Sequence, residues 1–342
     1  MNPSARQNHA AYAWPTALIR SWRGQTIVGF LMPRASGMKE VFEFYNPAQR
    51  RQICAQFTYR YLMQTARNIA GIMRELHSRG YVVGDVNQRN ILVSDSALVT
   101  VLDTDSFQFR DPQTRTLYLC RVRTDGFIAP EAYATRLRDV ERTVEQDLFG
   151  LGVLIFHLLM EGVHPFACRY TTAGDPPNLQ QSVIAGNFPY GRRNSDFGPM
   201  PTAPPFDMLA PEVAALFVQC FVDGHKMPTR RPTAEDWQRV LTRASRDLIA
   251  CSSNPQHYYG RHLGQRCPWC ARTERGLLDS FPYTMPVRQP PTAPRSEPRR
   301  KQPVEPQPVE SSTSPPVPRW KKVLKFVAFL LGALSVLWNL LG

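Results

Sequence analysis

The sequence predicts an α+β protein whose body is mainly helical, and three observations lead to that prediction. Residues 56–79 carry apolar side chains at intervals of three and four, which is the period of an amphipathic helix. Residues 146–161 are apolar on nearly every side, as expected of a helix buried at the centre of a domain. Short apolar runs at 81–83, 91–93 and 98–102 predict strands. With 342 residues, 43% of them apolar, the chain is long enough to form one sizeable core plus appendages.

The remaining elements follow from local signals along the chain. Residues 16–34 predict two short strands around a glycine turn, and Gly80 stops the first long helix where a C-cap is expected. Two further helices are predicted at roughly 211–222 and 233–250. The stretch 171–205 is rich in Pro, Gly and Asn, and we therefore predict a long loop there.

Three oxygen-bearing side chains lie on loops that connect the predicted short strands. Asp85 and Asn90 occur in the segment VVGDVNQRNILV, and Asp103 occurs in LDTDSF. Hard oxygen ligands of this kind suit a magnesium ion bound to phosphate oxygens. A separate carboxylate can orient an attacking hydroxyl and accept its proton. A single Asp-x4-Asn is ordinary turn chemistry, so the prediction depends on the motifs that accompany it.

The spacing of these three side chains resembles that of protein kinases, and further motifs arrive in the same order as in that family. Ala-Pro-Glu occupies 129–131, Asp147 lies at the start of the buried helix, and Arg-Pro-Thr occupies 231–233. The chain is therefore similar to the large lobe of a protein kinase. The resemblance implies that Glu131 and Arg231 form a buried ion pair, in which loss of one partner typically costs roughly 3–5 kcal/mol. It also implies that Asp147 bonds the backbone of the loop that carries Asp85, which is called the catalytic loop in that family.

The same resemblance assigns the candidate site residues. Asp85 is expected to be the catalytic base, while Asn90 and Asp103 hold the magnesium of Mg-ATP. Met32 and Leu92 are expected to contact the nucleotide.

Some positions depart from the kinase pattern. Gly84 stands where the family usually has the arginine that reads a phosphorylated activation segment, so regulation by that phosphorylation is not expected. Asn87 replaces a lysine that steadies the transferred phosphoryl group, and Arg89 is the nearest substitute. Asp-Thr-Asp at 103–105 replaces Asp-Phe-Gly, and we interpret Asp105 as a turn residue rather than a second ligand.

The small lobe of a kinase is largely absent from the sequence. About 15 residues precede the first predicted strand, and no lysine precedes Lys39, which itself follows the predicted hinge at 30–37. Three explanations stay open: a truncated copy of a longer protein, a partner that supplies the small lobe, or a domain that no longer phosphorylates anything. Little or no activity is expected of this chain alone, because water would reach the triphosphate.

A cluster of cysteine and histidine residues follows the last predicted helix. Its spacing is Cys251-x5-His257-x4-His262-x4-Cys267-Pro-Trp-Cys270. Cys-x2-Cys lets two thiolates reach one tetrahedral ion, so the sequence predicts a structural zinc site. The predicted ligands are Cys251, His257, Cys267 and Cys270, with His262 as the alternative histidine. A redox-active Cys-x2-Cys pair is the competing interpretation.

A kinase lobe with such a tail is similar to a bacterial group of kinase-like proteins. Members of that group are often linked to a PP2C-type phosphatase and a von Willebrand A-type protein, which suggests these partners beside a protein substrate. Nucleic acid is the least favoured partner despite the net charge of +13, since no aromatic residues are interleaved with the arginines and no reading helix is evident. The odd count of seven cysteines fits a reduced cytosolic environment.

The C-terminus carries an apolar segment of 19 residues at 323–341, VLKFVAFLLGALSVLWNLL. At 1.5 Å per residue a helix of that length spans about 28 Å, close to the thickness of the bilayer core. Arg319, Lys321 and Lys322 precede it, which predicts a transmembrane helix with the lobe in the cytoplasm. A helix lying in the membrane interface is the alternative.

The sequence as a whole predicts five segments and one function. The segments are a remnant of the small lobe and hinge at 1–35, a protein-kinase-like large lobe at 36–250, a zinc-knuckle segment at 251–280, a disordered Pro-rich linker at 281–318 and a transmembrane anchor at 319–342. The predicted function is that of a membrane-tethered, Ser/Thr-type protein-kinase-like protein. The alternative is a pseudokinase scaffold that binds protein partners without phosphoryl transfer.

Overall fold

The computed structural model describes residues 10–283, apart from residues 23, 25, 137, 138, 172 and 192–195. Its strands are β1 Ala17–Arg20, β2 Ile27–Leu31, β3 Met38–Glu40, β4 Ile91–Ser94, β5 Val99–Val101, β6 Phe109–Arg110, β7 Leu117–Tyr118, β8 Cys168–Tyr170, β9 Phe197–Pro199, β10 Leu248–Ala250 and β11 Tyr258–Gly260. Its α-helices are α1 Val41–Tyr45, α2 Pro47–Ile53, α3 Tyr59–Ser78, α4 Val144–Leu159, α5 Leu179–Ala185, α6 Pro211–Val218, α7 Gly224–Lys226, α8 Ala234–Arg246 and α9 Pro268–Glu274.

The strands form small antiparallel sheets, and the largest of them carries the candidate site. Strand β4 lies between β3 and β5, with Ile91 opposite Val101. Asn90 immediately precedes β4, and Asp103 follows β5 by two residues. Because the start of β4 is paired with the end of β5, the two side chains leave the sheet at the same edge. Strands β1 and β2 form the predicted hairpin in the described part of the chain.

Two long helices confirm the helical predictions and form the centre of the core. Helix α3 buries its apolar stripe against α4 and α8. Residues 147–159 of α4 are buried without exception, so this helix is enclosed on all sides. Its Phe149 and Phe156 pack against aromatic rings of Phe166, Phe217 and Phe221. Full burial of each such side chain contributes roughly 1.5–3 kcal/mol.

The prediction of an irregular stretch at 171–205 was wrong. It contains α5, which begins at a capping box in which Asn178 and Gln181 bond each other's backbone amides. It also contains β9, which pairs with β8 across the stretch. The prolines that predicted a loop lie outside both elements or at their ends, where proline costs little.

The last predicted helix, at 233–250, also ends earlier than expected. Helix α8 stops at Arg246, and residues 248–250 form β10, paired with β11. This hairpin joins the helical body to the cysteine and histidine cluster.

The prediction of a transmembrane anchor, and with it the membrane location, is corrected. None of the helices in the described part of the chain has both the length and the apolar character needed to cross a bilayer. The segment 323–341 itself lies outside the described residues. The helical α+β core of the fold prediction stands without that anchor.

Because two histidines are buried, we expect the free energy of unfolding to fall in mild acid. His157 Nδ1 donates to the carbonyl oxygen of Gly162 at 3.0 Å, and His164 Nε2 donates to that of Gly126 at 2.8 Å. Burial lowers the pKa of His157 to about 3 and that of His164 to about 4. Below about pH 6.5 the unfolded chain therefore binds protons that the folded chain does not, and folding weakens as the pH falls.

We expect each histidine to lower the free energy of unfolding by as much as about 2 kcal/mol between pH 7 and pH 5, measured by urea denaturation. The His157→Gln variant keeps a donor for Gly162 and should lose about half of the pH dependence. The matched control is His262→Gln, because His262 lies on the surface. A pH dependence unchanged in His157→Gln would contradict the assignment.

Candidate functional site

The loop that carries Asp85 is fixed from beneath by the buried carboxylate of Asp147. Its Oδ2 accepts hydrogen bonds from the backbone amide of Val83 at 2.7 Å and from His77 Nε2 at 3.0 Å. Its Oδ1 accepts from the amide of Gly84 at 2.8 Å. Asp147 lies on the enclosed helix α4, so the loop is anchored to a helix that is buried in the core. The predicted bond between Asp147 and this loop is present.

The structure brings Asp85, Asn90 and Asp103 to one edge of the three-stranded sheet. Asn90 Nδ2 donates to the carbonyl oxygen of Asp85 at 3.3 Å. The carbonyl oxygen of Asn90 accepts from the amide of Leu102 at 2.8 Å, and Leu102 directly precedes Asp103. Asn90 thus joins the two loops that carry the carboxylates. Asp103 adopts a left-handed backbone conformation with φ of 55°, which turns the chain sharply away from β5.

Asn87 organises this loop from within. Its side-chain oxygen accepts from the amides of Arg89 at 2.8 Å and Asn90 at 3.3 Å, and its Nδ2 donates to the carbonyl oxygen of Asp85 at 3.1 Å. Asn87 is buried, whereas Arg89 is exposed. Asn87 therefore has a structural part in the loop, and its amide cannot replace a mobile cation.

The carboxyl group of Asp85 is partly buried and has a partner on the stretch between Asp103 and Glu131, which corresponds to the activation segment of the kinase pattern. Burial raises the pKa of Asp85, while hydrogen bonds from Thr124 and Asn87 oppose that increase and the charge of Asp103 adds to it. The Thr124 hydroxyl donates to Asp85 Oδ2 at 3.3 Å. A narrow cleft beside Asp85 is lined by Thr124, Phe127 and other side chains of the same segment. A carboxylate with a raised pKa beside a cleft is suited to hold the proton of a bound hydroxyl.

The ion pair between Glu131 and Arg231 is present and has the parallel geometry of a guanidinium on a carboxylate. Arg231 Nη1 and Nη2 each donate to one oxygen of Glu131 at 2.7 Å. Arg231 Nη1 also donates to the carbonyl oxygen of Glu145 at 2.8 Å, at the start of α4. The arginine side chain is fully buried, whereas that of Glu131 is 32% exposed, so the pair is buried on one side only. It fastens the end of the activation segment to the core.

The two residues predicted to contact the nucleotide occupy different surroundings. Leu92 lies on β4, paired with Glu40 of β3 and with Thr100 of β5. Met32 follows β2 directly and is 40% exposed. Their contact with a nucleotide stays a prediction.

Four of the five predicted metal ligands form one cluster. The ligand atoms of Cys251, His257, Cys267 and Cys270 all lie within 4.8 Å of one another. His262 lies elsewhere, with its Nε2 3.2 Å from the carbonyl oxygen of Asp207.

Three distances within the cluster are those expected around a tetrahedral ion, and none of them is that of a disulfide. Cys251 Sγ and Cys270 Sγ are 3.7 Å apart, and His257 Nδ1 is 3.5 Å from Sγ of both Cys267 and Cys270. Zinc bonds of about 2.3 Å to sulfur and about 2.0 Å to nitrogen require separations of about 3.8 Å between sulfurs and about 3.5 Å between sulfur and nitrogen. A disulfide would require about 2.05 Å. The residues present therefore fit a tetrahedral zinc ion.

Asp279 orients the histidine of the cluster. His257 Nε2 lies 2.9 Å from Asp279 Oδ1 and also 2.9 Å from Asn254 Nδ2, while Nδ1 faces the sulfurs of Cys267 and Cys270. A carboxylate behind a metal-binding histidine fixes the tautomer and raises the basicity of the ligand.

The cluster is packed against the helical body. Trp269, between the two cysteines of the Cys-x2-Cys turn, contacts Tyr59 of α3 and Phe281. The buried guanidinium of Arg50 lies 4.4 Å from the centre of the Phe281 ring and donates to the carbonyl oxygen of Ser280 at 3.2 Å. Residues 251–281 therefore share a core with the rest of the described chain.

Sequence reasoning missed Thr124, Asp279 and Arg142 as parts of these two sites. Thr124 lies 39 residues from Asp85 in the sequence, and Arg142 lies 34 residues from Gln108, which bonds its backbone. Asp279 lies nine residues beyond the last cysteine. The one available signal for Thr124 was a hydroxyl residue five positions before the Ala-Pro-Glu motif.

The known proteins that this chain resembles are protein kinases. The family model of the protein kinase domain matches residues 18–240. Over 269 residues the chain is 36% identical to a protein called protein kinase YegI, both in Escherichia coli O157:H7 and in Escherichia coli K12. The match covers 78% of this chain and 41% of each relative, so it spans well under half the length of those proteins. A probable serine/threonine-protein kinase of Dictyostelium discoideum, irlC, is 26% identical over 110 residues, covering 32% of this chain and 7% of that protein.

Proposed function

The chain belongs to the protein kinase family, and from this premise we propose that it transfers the γ-phosphoryl group of Mg-ATP to a serine or threonine hydroxyl of a protein. A protein kinase domain implies the use of Mg-ATP and a protein substrate. The observation that carries the proposal is the meeting of Asp85, Asn90 and Asp103 at one edge of the β3-β4-β5 sheet.

Asp85 is proposed to orient the substrate hydroxyl and accept its proton. The hydroxyl of Thr124 steadies Asp85 Oδ2, and both residues line a narrow cleft beside the carboxylate. Because the loop is anchored to α4 through Asp147, the position of Asp85 does not depend on the substrate.

Asn90 and Asp103 are proposed to hold magnesium. The amide nitrogen of Asn90 is committed to the carbonyl oxygen of Asp85, so its side-chain oxygen is the atom that can bind a cation. When bound, the metal neutralises charge on the phosphate oxygens. Met32 and Leu92 are proposed to contact the adenine from β2 and β4.

Zinc at Cys251, His257, Cys267 and Cys270 is proposed to be structural. Four protein ligands complete a tetrahedral shell, which leaves no open position for substrate. Residues 36–250 then act as the catalytic lobe and residues 251–280 as a module closed by metal. A PP2C-type phosphatase and a von Willebrand A-type protein are proposed as partners on the family resemblance alone.

One observation favours the alternative function of a pseudokinase scaffold. Asn87 occupies the position of the phosphoryl-steadying lysine, and its side chain is held inside the loop by three hydrogen bonds. Without a cation there, the charge that develops on the transferred group is less well stabilised.

The test is a transfer assay on the purified chain with radiolabelled ATP, magnesium and dephosphorylated casein as a generic acceptor. Because little of a small lobe is present in the sequence, the proposal expects weak labelling that depends on magnesium, with phosphoserine or phosphothreonine after acid hydrolysis. Isothermal titration of the same preparation with Mg-ATP supplies the second readout. A folded chain that transfers no phosphate would overturn the enzyme and favour the scaffold, and labelling of tyrosine alone would overturn the substrate class.

A further inference from the structure

The side chain of Arg142 is buried between the activation segment and the catalytic loop, although no sequence pattern predicted a role for it in either. Arg142 is 4% exposed and belongs to the stretch between the Ala-Pro-Glu motif and α4. Its Nη2 donates to the carbonyl oxygen of Val122 at 2.9 Å. Val122 lies two residues before Thr124, whose hydroxyl reaches Asp85. A guanidinium therefore holds the segment immediately upstream of the Asp85 partner.

The backbone of Arg142 is fixed independently of its side chain. Gln108 Nε2 donates to the carbonyl oxygen of Arg142, and the amide of Arg142 donates to Gln108 Oε1, both at 2.7 Å. The backbone of Gln108 in turn exchanges two hydrogen bonds of 2.8 and 2.9 Å with Val82, which leads into the catalytic loop. A continuous series of hydrogen bonds thus links Val82, Gln108, Arg142 and Val122. The hydroxyl of Thr124, two residues after Val122, extends this link to Asp85.

The space around Gly84 admits no side chain at that position, whereas the side chain of Arg142 lies beside it. Gly84 has φ of +72°, and a Cβ placed on it would lie 2.6 Å from both Cβ and Sγ of Cys120 and 3.6 Å from Cγ of Arg142. No side chain fits at Gly84 without moving Cys120, so the arginine that the protein kinase pattern usually has at this position would not fit here. Here the space is occupied by Cys120 and Arg142 instead.

The positive charge of Arg142 suits its position near the carboxylates of Asp147 and Asp85. Burial lowers the pKa of Arg142, and the negative charges of Asp147 and Asp85 oppose that shift. A guanidinium needs no modification to carry its charge, and its planar fork binds oxygen atoms in a defined direction. A phosphate group, in contrast, would have to be added to the activation segment before it could bind an arginine.

We infer that Arg142 is a positioning residue that holds residues 120–124 against the catalytic loop, so that Thr124 orients Asp85 with no phosphate on the activation segment. This inference rests on the proposed phosphoryl transfer for its consequence, but not for the contact itself. It follows that Asp85 has the arrangement needed for transfer whether or not the activation segment is phosphorylated.

The experiment compares Arg142→Met, Arg142→Lys and the control Arg136→Met in the full chain. Arg136 is an exposed arginine of the same stretch, so its replacement removes equal charge from the segment without the buried bond. Hydrogen exchange followed by mass spectrometry should show amides of residues 120–126 exchanging about tenfold faster in Arg142→Met, with Arg142→Lys in between, because about 1.4 kcal/mol of local stability corresponds to tenfold. Equal exchange in Arg142→Met and Arg136→Met overturns the inference, whether or not the chain transfers phosphate.

Kinetics separate a positioning role from a general loss of stability. In Arg142→Met, kcat should fall about tenfold or more while the KM for ATP stays within about twofold, and Arg142→Lys should recover part of kcat. Thr114, Thr116 and Tyr118 are exposed hydroxyl residues of the activation segment. Phosphatase treatment, or the triple variant Thr114→Ala, Thr116→Ala and Tyr118→Phe, should leave kcat within about twofold of the wild-type value. Loss of activity on phosphatase treatment would overturn the inference while leaving the proposed transfer intact.

Absence of transfer by wild type would overturn the proposed function, and hydrogen exchange at residues 120–126 would still decide whether Arg142 makes the contact. Should Arg142→Met fail to fold, the same exchange comparison is made with Arg142→Lys.

Discussion

The Asp85→Asn variant is expected to transfer phosphate at least about a hundredfold more slowly than wild type, with the affinity for Mg-ATP unchanged within about twofold. Asparagine keeps the shape of the side chain and can still contact the Thr124 hydroxyl, which donates to Asp85 at 3.3 Å. It cannot accept the proton of a substrate hydroxyl. The loss should therefore appear in kcat, measured with saturating ATP, and not in the titration of the nucleotide.

The matched control is Asp95→Asn, since Asp95 is an exposed carboxylate in the turn between β4 and β5. It lies on the same sheet as the site and should leave kcat within about twofold. A rate for Asp85→Asn that equals that of Asp95→Asn would refute the role of Asp85. A large loss of nucleotide affinity would instead place Asp85 with Asn90 and Asp103 as a metal ligand.

The proximity of Asp85, Asn90 and Asp103 was predictable because its signals are local. Asp85 and Asn90 are five residues apart, and the apolar runs on both sides predicted the loop that holds them. Asp103 follows the next strand, and antiparallel pairing of β4 with β5 brings it back to the same edge. Periodicity also located α3 and α4, since both present long and regular apolar patterns.

Contacts between distant segments were not predictable in the same way. Nothing near Arg142 in the sequence indicates that Gln108 will bond its backbone, because the pairing depends on how β6 and the start of α4 come together. Short elements were missed for another reason. The helices α1 and α2 together span residues 41–53, are interrupted by Pro47, and are too brief to show a period.

The stretch 171–205 shows how composition misled the prediction. Its prolines and glycines indicated a loop, yet the capping box of Asn178 and Gln181 was visible in the sequence and signals a helix start. The lesson from α5 is that a specific capping pair outweighs the average composition of the window around it. The four metal-ligand candidates illustrate the converse, since their spacing alone selected the residues that the fold brings together.

The second large effect is expected on stability, from disruption of the cluster of Cys251, His257, Cys267 and Cys270. Replacing Cys267 by serine should lower the free energy of unfolding by at least about 3 kcal/mol, because zinc at such sites contributes much of the folding energy of its module. The effect should reach beyond residues 251–280, because Trp269 packs against Tyr59 of α3 and Arg50 bonds the carbonyl oxygen of Ser280. We therefore expect one cooperative transition that shifts as a whole, measured by thermal and urea denaturation, rather than an early melting of the module alone.

The metal itself is measured by elemental analysis, which should give about one zinc per chain in wild type and much less in the Cys267→Ser variant. A strong chelator should lower the melting temperature of wild type and leave that of the variant nearly unchanged, since binding to the folded state alone is what stabilises it. The control is Cys54→Ser, because Cys54 is a partly buried free thiol outside the cluster. A wild-type chain that contains no zinc and melts at the same temperature as Cys267→Ser would show that the cluster is held by packing. In that case the tetrahedral distances between the sulfurs and His257 Nδ1 would need another cause, and the redox pair of Cys267 and Cys270 would become the better explanation.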